Sequence, residues 1–486
     1  MAEVTISIPQ MGLVRGVSAD GVTVFKGIPY AAPPAGPRRW QPPQPVAPWE
    51  GVRAADRFGA ACLQVALPGY GLDTNCAYSE DCLYLNVWRP DAASRDARLP
   101  VMVWIHGGGF VFGSGASPMT DGTNLAQLGV IIVSINYRLG RFGWFAHPDL
   151  TEEAEVEPTG NFGLMDQIAA LRWVQDHIAA FDGDPANVTI FGVSAGARSV
   201  HMLMSAGPAR GLFAKAIAQT SGPRMRFRSL ATAEGYGQAF AVAVGAPSLA
   251  ELRALPADTI LNAPTLPEHE TAPLLDGRLI TEQVDLAFQR GLPAQIPHIL
   301  GSNDFEASNW ADFLAHPEAI LAKLPEGVRN MVMALYGPDA GGDLATIVAE
   351  VITDQICTEP ARFVAQQHAG RGLPTYRYLF AHVPEGLRDS LRGAGHGAEQ
   401  PYVFGNLDAV PSWNGVCSDR DRRDAAMIGQ YWTNFAKTGD PNGPHLPAWP
   451  RDGEDELLLL ASGGPRAESS YLKSRLDLWA RQAGVL

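Results

Sequence analysis

The sequence predicts an α/β protein in which helices flank a mostly parallel sheet. Apolar runs rich in β-branched residues recur along the middle of the chain, at 101–108, 129–138, 187–193 and 214–220. These runs do not alternate apolar with polar residues, so they fit strands buried on both faces, as in a parallel sheet. A helix is predicted between the second and third runs, because one apolar stripe is formed by Leu164, Ile168, Leu171, Val174, Ile178 and Phe181. Strands that alternate with helices predict right-handed βαβ units.

The rest of the chain extends this pattern on both sides. The first hundred residues predict short antiparallel strands joined by turns, and the Ala/Leu-rich stretch 223–293 predicts helical insertions over one end of the sheet. Later strands are predicted at 296–302, 375–383 and 456–462. No flexible tract, charge block or fixed-period repeat marks a boundary, so we expect a single domain over residues 1–486.

The charge balance argues against nucleic-acid and membrane partners. The chain has 37 basic and 51 acidic residues, a net charge of −14, and no Lys/Arg cluster. Phosphate backbones and anionic membranes bind basic patches. No apolar run reaches the roughly 18 residues that span a bilayer, and the N-terminus lacks the basic and apolar regions of a signal peptide. We therefore expect a cytoplasmic protein, with secretion left open if a leader has been removed.

The cysteines favour reduced thiols over a disulfide framework or a metal site. They are few and odd in number, at positions 62, 76, 82, 357 and 417. No C-x-x-C pair or histidine cluster has metal-ligand spacing. We expect no metal.

A serine on a sharp turn is the first candidate for catalysis. Residues 192–196 read Gly-Val-Ser-Ala-Gly, a G-x-S-x-G pattern directly after the third apolar run and before a predicted helix. A serine on such a strand-to-helix turn needs small neighbours, and the turn exposes its hydroxyl at the carboxyl edge of the sheet. The pattern alone also fits a structural glycine turn, but its context favours Ser194 as a nucleophile.

Three glycines follow the first of the apolar runs, in the stretch HGGGF at 106–110. Backbone N–H groups in such a loop stabilise the negative charge of a tetrahedral intermediate, and losing one donor costs about 3 kcal/mol. In hydrolases with this serine turn, one donor comes from such a loop and another from the residue after the nucleophile. We therefore expect an oxyanion hole at Gly108, Gly109 and Ala195, with a flexible turn as the alternative.

The chain resembles the type B carboxylesterases over nearly its whole length. The motifs that carry the resemblance are, in order, FKGIPYAAPPAGPRRWQPPQP, SEDCLYLNVW, VWIHGGGF, NYRLGRFGW, GNFGLMDQIAALRWVQDHIAAFDGDPANVTIFGVSAG, GAGHGAEQPYVFGNL and WTNFAKTGDPNG. That family includes bacterial para-nitrobenzyl esterases, animal carboxylesterases and cholinesterases. The resemblance implies an α/β-hydrolase fold with helical insertions over the active-site end, and a Ser-Glu-His triad.

The same resemblance assigns the base and the acid. His396 matches the histidine of the family motif H-G-x-E-x-P-Y-V-F, and its small loop neighbours leave the ring accessible for proton transfer. Aligning the family motif G-x-N-x-D-E-G on Gly301 and Asn303 assigns the acid to Glu306. The sequence departs from that motif on both sides of the glutamate, so Asp304 stays open as an alternative.

These residues predict a serine hydrolase that cleaves small carboxylic esters through an acyl-enzyme. Ser194 would attack the ester carbonyl while His396 takes its proton, and water would then release the acyl group. This chemistry needs no cofactor. An amidase, a carbamate hydrolase or a specialised toxin esterase with the same triad is the alternative. A non-enzymatic binding module is disfavoured, because candidates for all three triad members are present.

Val193 departs from the glutamate that most family members have before the serine. The missing carboxylate suggests that the site does not favour cationic esters such as choline esters; the alternative is that either residue is tolerated. A comparison of a cationic with a neutral ester in Val193→Glu would decide, because equal changes for both esters contradict the electrostatic hypothesis. Phe110, Phe305 and Trp310 are further candidates for the substrate pocket.

Other residues are interpreted as structural. The resemblance implies buried ion pairs between Arg39 and Glu80 and between Arg138 and Asp166. It also aligns Cys62 and Cys82 with a disulfide of secreted relatives, and whether they are oxidised here stays open. Arg198, on the helix after the serine, is expected to be structural or solvent-facing.

Overall fold

The computed structural model describes residues 2–65, 76–91, 97–155, 157–224, 226–264, 271–310 and 314–485. Packing divides the chain into two compact units. The first comprises Met1–Ala216 and Arg226–Gln283, and the second comprises Ile217–Met225 and Val284–Leu486. The single domain expected from the sequence stays a prediction.

The first unit contains most of the strands that the structure describes. They are β1 (Ala2–Ile8), β2 (Gly12–Ala19), β3 (Val22–Pro29), β4 (Val52–Ala54), β5 (Ala61–Cys62), β6 (Tyr78–Ser79), β7 (Tyr84–Pro90), β8 (Leu99–Ile105), β9 (Ile131–Ile135), β10 (Gly183–Val193), β11 (Lys215–Gln219), in which the unit ends, and the later β12 (Arg228–Ser229) and β13 (Leu274–Leu275). The main order within this unit is β1-β2-β3-β7-β9-β8-β10. In this order, the neighbouring strands β1, β2, β3, β7 and β9 pair antiparallel. The neighbours β9, β8 and β10 pair parallel.

The predicted strands of this unit are confirmed, and burial explains their composition. Every residue of β9 is buried, as is the stretch 101–105 of β8 and the stretch 188–193 of β10. A strand covered on both faces has no solvent side on which polar residues would recur, so its sequence does not alternate. By contrast, β1 alternates between more and less exposed positions over most of its length.

Helices occupy the connections of the first unit. They are α1 (Thr123–Gln127), α2 (Gly140–Gly143), α3 (Pro148–Ala154), α4 (Phe162–His177), α5 (Ala195–Ser205), α6 (Leu230–Ala243), α7 (Leu249–Ala254) and α8 (Ala257–Asn262). The helical character predicted for 223–293 is therefore confirmed. The stripe predicted on α4 understates its burial, because nearly all residues from 162 to 174 are buried, including Asp166 and Gln167.

Both predicted ion pairs of the first unit are present. Arg138 and Asp166 are joined by two hydrogen bonds of 2.7 and 2.8 Å, which explains how a carboxylate is buried within α4. Arg39 makes two bonds of 2.7 Å to Glu80. Buried charges of this kind are tolerated only with their partner.

The second unit has its own strands and helices. Its parallel strands are β14 (His298–Asn303), β15 (Thr375–Ala381) and β16 (Glu456–Ala461), and β17 (Gly464–Ser469) pairs antiparallel with β16. Its helices are α9 (Val284–Arg290), α10 (Pro317–Ala322), α11 (Glu326–Tyr336), α12 (Leu344–Thr353), α13 (Glu359–Ala369), α14 (Gln400–Phe404), α15 (Asp419–Thr438) and α16 (Lys473–Gln482). The three predicted strands are confirmed, whereas β17 was missed because its sequence contains no apolar run and none of its residues is fully buried.

Candidate active site

Ser194 lies between the end of β10 and the start of α5, in a backbone conformation that is rare for a side chain. Its φ is 55° and its ψ is −119°. Such strain persists only where the surrounding structure imposes it. A Cβ on Gly196 would lie 2.0 Å from the carbonyl oxygen of Ile105, and one on Gly192 would lie 2.6 Å from the same atom. The two glycines therefore allow strand and helix to approach β8 closely enough to form this turn.

The three-glycine loop lies against this serine. The parallel pairing of β8 with β10 sets Ile105 beside Gly192, so the chain that leaves β8 passes the turn. A Cβ on Gly107 would lie 2.9 Å from the carbonyl oxygen of Val193 and 3.2 Å from the Cβ of Ser194. The glycine at 107 thus brings the loop into contact with the serine.

The expected oxyanion donors have amides that are free to bind. Gly108 and Gly109 have φ values of 108° and 60°, which glycine adopts without steric cost. Across the residues that the structure describes, the N–H groups of Gly108, Gly109 and Ala195 donate no hydrogen bond to the protein. Gly108 and Gly109 directly follow Gly107, the loop residue that approaches the serine, and Ala195 directly follows Ser194. Donors of this kind stabilise developing negative charge.

Buried polar contacts hold the glycine loop. The ring of His106 stacks on Tyr137 with centroids 4.4 Å apart, and the Tyr137 hydroxyl donates to the His106 carbonyl at 2.9 Å. Burial lowers the pKa of His106 to about 4, so its ring is neutral near pH 7. Gln64 donates to the Gly113 carbonyl and accepts from the Gly113 amide, at 3.0 and 2.8 Å. The loop is therefore fixed at both ends before any substrate binds.

Glu306 and His396 form a hydrogen-bonded pair in the second unit. Glu306 follows β14 and is fully buried. Its Oε1 accepts the backbone N–H of Asn303 at 2.6 Å, and its Oε2 lies 2.6 Å from Nδ1 of His396. The backbone N–H of His396 donates to Ser308 Oγ at 2.8 Å. A carboxylate on Nδ1 orients the ring and stabilises its protonated form.

Asp304, the alternative acid, has a different partner. Its Oδ1 accepts the backbone N–H of Ala394 at 2.7 Å. Burial, together with the charge of Glu306, raises the pKa of Asp304 to about 7. The contact with the imidazole thus belongs to Glu306, while Asp304 binds the loop that leads to His396.

Glu399 is a second buried carboxylate beside this pair, and the sequence reasoning assigned it no role. It accepts hydrogen bonds from Asn303 Nδ2 at 2.7 Å and from the Thr220 hydroxyl at 2.9 Å. Burial alone lowers the pKa of His396, but the charge and hydrogen bond of Glu306 and the charge of Glu399 outweigh it, so the net shift is upward. The signal was present in the sequence, because Glu399 is the glutamate of the HGAE string.

The four candidate pocket residues differ in what they offer a substrate. Trp310 is half-buried, and its ring meets that of His396 edge-on at 6.3 Å. Phe305 is also half-buried. Phe110 is 1% exposed and packs edge-on against Trp144, and Val193 is 3% exposed, so these two have little surface for a ligand. Contact with substrate stays a prediction for all four.

A cavity of about 340 Å³ opens beside the glycine loop in the first unit. Most of the side chains around it are apolar, and two of them, Val111 and Phe112, come directly after the HGGGF stretch. Its lining residues are Leu63, Val65, Val111, Phe112, Gly140, Arg141, Phe142, Ile260, Leu261 and Thr271.

The remaining sequence expectations concern thiols, metals and membranes. Cys62 and Cys82 are buried free thiols, and a hydrogen bond to Cys62, together with burial, raises the pKa of Cys82. In the described portion of the chain, no cluster of three or more His, Cys, Asp or Glu side chains is arranged to hold a metal ion. Over the same residues, none of the helices combines the length and apolarity needed to cross a bilayer.

Known proteins resemble this chain over most of its length. A model of the carboxylesterase family matches residues 2–479. Fumonisin B1 esterase of Sphingopyxis macrogoltabida is 36% identical over 470 residues, covering 93% of this chain and 86% of that protein. Para-nitrobenzyl esterase of Bacillus subtilis (strain 168) is 34% identical over 466 residues, covering 93% of this chain and 94% of that protein. A solved PNB esterase structure aligns with a TM-score of 0.84 at 32% identity, over 98% of this chain and 99% of that one, which confirms the α/β-hydrolase fold.

Proposed function

The chain belongs to the carboxylesterase family, and from this premise we propose that Ser194, His396 and Glu306 are the catalytic triad with which it hydrolyses carboxylic esters. The observation that carries the proposal is the strained Ser194 held against a glycine loop whose amides have no acceptor among the described residues. A hydroxyl beside preorganised donors suits attack on a carbonyl, because the donors bind the oxygen as it becomes negative.

The roles of the three side chains follow from general chemistry. His396 takes the proton of Ser194 as the hydroxyl attacks, and the alkoxide of the ester leaves with that proton. In this proposal, the bond of Glu306 to Nδ1 selects the tautomer of His396 that leaves Nε2 free to accept the proton of Ser194. Water then attacks the acyl-enzyme, with His396 again accepting and returning a proton.

The oxyanion is bound by backbone amides in this proposal. Gly108 and Gly109 supply donors from the loop, and Ala195 supplies one from the first turn of α5. The N-terminus of that helix adds its partial positive charge. None of these steps requires a metal or an organic cofactor.

The substrate we propose is a small ester with an apolar part. The 340 Å³ cavity beside the loop is lined mainly by apolar side chains, which favours uncharged acyl or alcohol chains there. Both relatives described above are named as esterases.

A panel of para-nitrophenyl esters from acetate to decanoate tests the proposal. Ser194→Ala is expected to lower kcat by about 10⁴- to 10⁶-fold, because the remaining groups cannot form an acyl-enzyme. Ser205→Ala is the matched control, since that hydroxyl lies at the end of the same helix and donates to the His201 carbonyl. In the wild type, a pre-steady-state burst equal to the enzyme concentration is expected on an ester with slow deacylation. Undiminished turnover in Ser194→Ala would refute the assignment of Ser194 as the nucleophile.

A further inference from the structure

Arg198 lies one helical turn after Ser194. Its backbone N–H donates to the Ser194 carbonyl at 3.0 Å. Side chains of a helix lean toward its N-terminus, so residues four apart lie on one face and the later one covers the turn before it. The guanidinium of Arg198 is therefore directed back toward the serine turn.

Two aromatic rings hold this guanidinium. Its carbon lies 5.4 Å from the ring centroid of Phe110 and 5.5 Å from that of Phe227. Both rings are buried. The backbone of Phe227 exchanges two hydrogen bonds of 2.8 Å with Gln283, and the Phe110 carbonyl accepts the Gly140 N–H at 2.8 Å. Because both ring-bearing segments are fixed, the cation is held in place without any ligand.

Arg198 differs from Arg39 and Arg138, two deeply buried arginines of the first unit, in lacking a counter-ion. Arg39 and Arg138 each form two hydrogen bonds to one carboxylate. Among the residues that the structure describes, no carboxylate pairs with Arg198 and no acceptor takes a hydrogen bond from its guanidinium. Burial lowers its pKa to about 10, so it remains charged at neutral pH. The residue is nevertheless partly exposed, so its N–H groups can be reached from solvent.

We propose that Arg198 anchors a subsite for a carboxylate carried by the ester substrate, next to the nucleophile. The guanidinium presents a planar set of donors that matches a carboxylate in two parallel hydrogen bonds. The proximity of Phe110 to the loop glycines sets this subsite beside the reacting carbonyl. A chain of net charge −14 repels anions at long range, so an anionic substrate needs a local cation of this kind. The proposal rests on the proposed function.

The test compares two pairs of esters that differ only in one negative charge. The first pair is the para-nitrophenyl monoester of glutaric acid and its methyl-capped counterpart, which puts the carboxylate on the acyl side. The second is 4-acetoxybenzoate and its methyl ester, which puts it on the alcohol side. The readout is the ratio of kcat/KM for the anionic ester to that for its neutral partner. Because the ratio is internal to each variant, a partial loss of folded protein cancels from it.

Arg198→Gln is expected to lower this ratio by about 10- to 100-fold for one of the two pairs, since a hydrogen-bonded charge is lost. That pair identifies the side of the ester that meets Arg198. For Arg198→Lys, which keeps the positive charge, the ratio is expected to lie between that of the wild type and that of Arg198→Gln. Arg172→Gln, which removes an exposed arginine of α4, is the matched control and should leave the ratio as in the wild type. Glutarate should also inhibit wild-type hydrolysis of the neutral ester competitively, and more weakly in Arg198→Gln.

A change of less than twofold in both ratios would overturn the subsite and leave Arg198 as a cation that only packs between rings. Failure of the proposed function is distinguishable from this result. It would appear as neutral-ester hydrolysis that survives in Ser194→Ala, whatever the ratios are.

Discussion

At the scale of single residues, His396 faces two buried carboxylates with different tasks. Glu306 makes the direct contact with Nδ1, and Glu399 acts through its charge while its oxygens bind Asn303 and Thr220. In the proposed mechanism, these two negative charges would stabilise the imidazolium that forms when Ser194 loses its proton. The same charges raise the pKa of His396, so a higher pH is needed to keep its imidazole neutral.

The pH dependence of catalysis follows from that balance. The pKa of His396 is raised above its ordinary value of 6.5. In the proposed mechanism only the neutral imidazole accepts the serine proton, so activity should begin to fall at a higher pH than it would for an unperturbed histidine. The acidic limb of kcat/KM is therefore expected to have its midpoint above pH 6.5 for a neutral ester. Glu399→Gln removes one of the charges and should move the midpoint to lower pH. An unchanged or higher midpoint in that variant would contradict the role given to Glu399.

The choice between Glu306 and Asp304 gives a second prediction at this scale. Glu306→Gln is expected to lower kcat by about 10³- to 10⁴-fold, because the imidazole loses its orienting carboxylate. Asp304→Asn keeps the oxygen that accepts the Ala394 N–H, so its kcat should stay within a few-fold of the wild type. The opposite ranking of the two variants would make Asp304 the acid.

Stability supplies an independent check on Asp304. Its folded pKa of about 7 is raised from 3.8, so the fold favours the protonated form. The stability that this group contributes is present at pH values below 3.8 and is lost as the pH rises through about 7. The Tm of Asp304→Asn relative to the wild type should therefore be higher at pH 8 than at pH 5. A constant difference would show that the carboxyl is ionised throughout this range.

At the scale of secondary-structure elements, the turn from β10 to α5 depends on contact with β8. Gly196 lies in the first turn of α5, and its position is set by the carbonyl of Ile105 at the end of β8. The helix can begin this close to the strand only where no Cβ intervenes. The strain at Ser194 is thus supported by β8, whose last residue, Ile105, lies 89 positions earlier in the chain (194 − 105).

Gly196→Ala is expected to disturb this junction. Its Cβ would lie 2.0 Å from the Ile105 oxygen, so strand and helix must separate, at a cost of about 1–3 kcal/mol of stability and with a loss of kcat. Gly235→Ala is the matched control, because that exposed glycine of α6 has no atom within 4 Å of an added Cβ. The control should gain about 0.5–1 kcal/mol from reduced backbone freedom. Denaturant unfolding and ester turnover measure both variants, and equal behaviour would refute the contact argument.

At the scale of the whole molecule, buried arginines connect segments that are far apart in the chain. In the first unit, Arg39 binds Glu80 and also the carbonyls of Leu252, Arg253 and Leu255 near the end of α7. In the second unit, arginines bridge three late aspartates: Arg362 binds Asp455 and Asp477, and Arg377 binds Asp452 and Asp455. Each guanidinium offers up to five donors, so one side chain can satisfy several remote acceptors.

Arg39→Met should therefore destabilise the protein far more than a typical loss of a surface charge. The variant leaves Glu80 without its cation and the α7 carbonyls without donors, which predicts a loss of about 3–5 kcal/mol. Arg38→Met is the control, since Arg38 is the neighbouring residue and is exposed. The measurement is denaturant unfolding of both variants. Similar midpoints for the two would show that the contacts of Arg39 contribute little.

The local sequence was sufficient for most of the strands and helices. The buried strands β8, β9 and β10 were predicted because both of their faces require apolar residues, and the turn at Ser194 because it needs glycines within two residues. These features depend on neighbours along the chain, so a window of a few residues contains the information. The strand β17 was missed for the same reason: its own residues carry no strand pattern, and only its pairing with β16 makes it a strand.

Tertiary structure alone decided which groups meet. The sequence left Glu306 and Asp304 as alternatives, because two residues on one loop differ only in what lies opposite them; the path of the loop before His396 brings the imidazole to Glu306 and the Ala394 amide to Asp304. Arg198 was expected to be structural or solvent-facing, and its enclosure depends on rings that lie far from it in the chain. Charge and burial at a site are set by contacts between distant segments, and these exist only once the chain has packed.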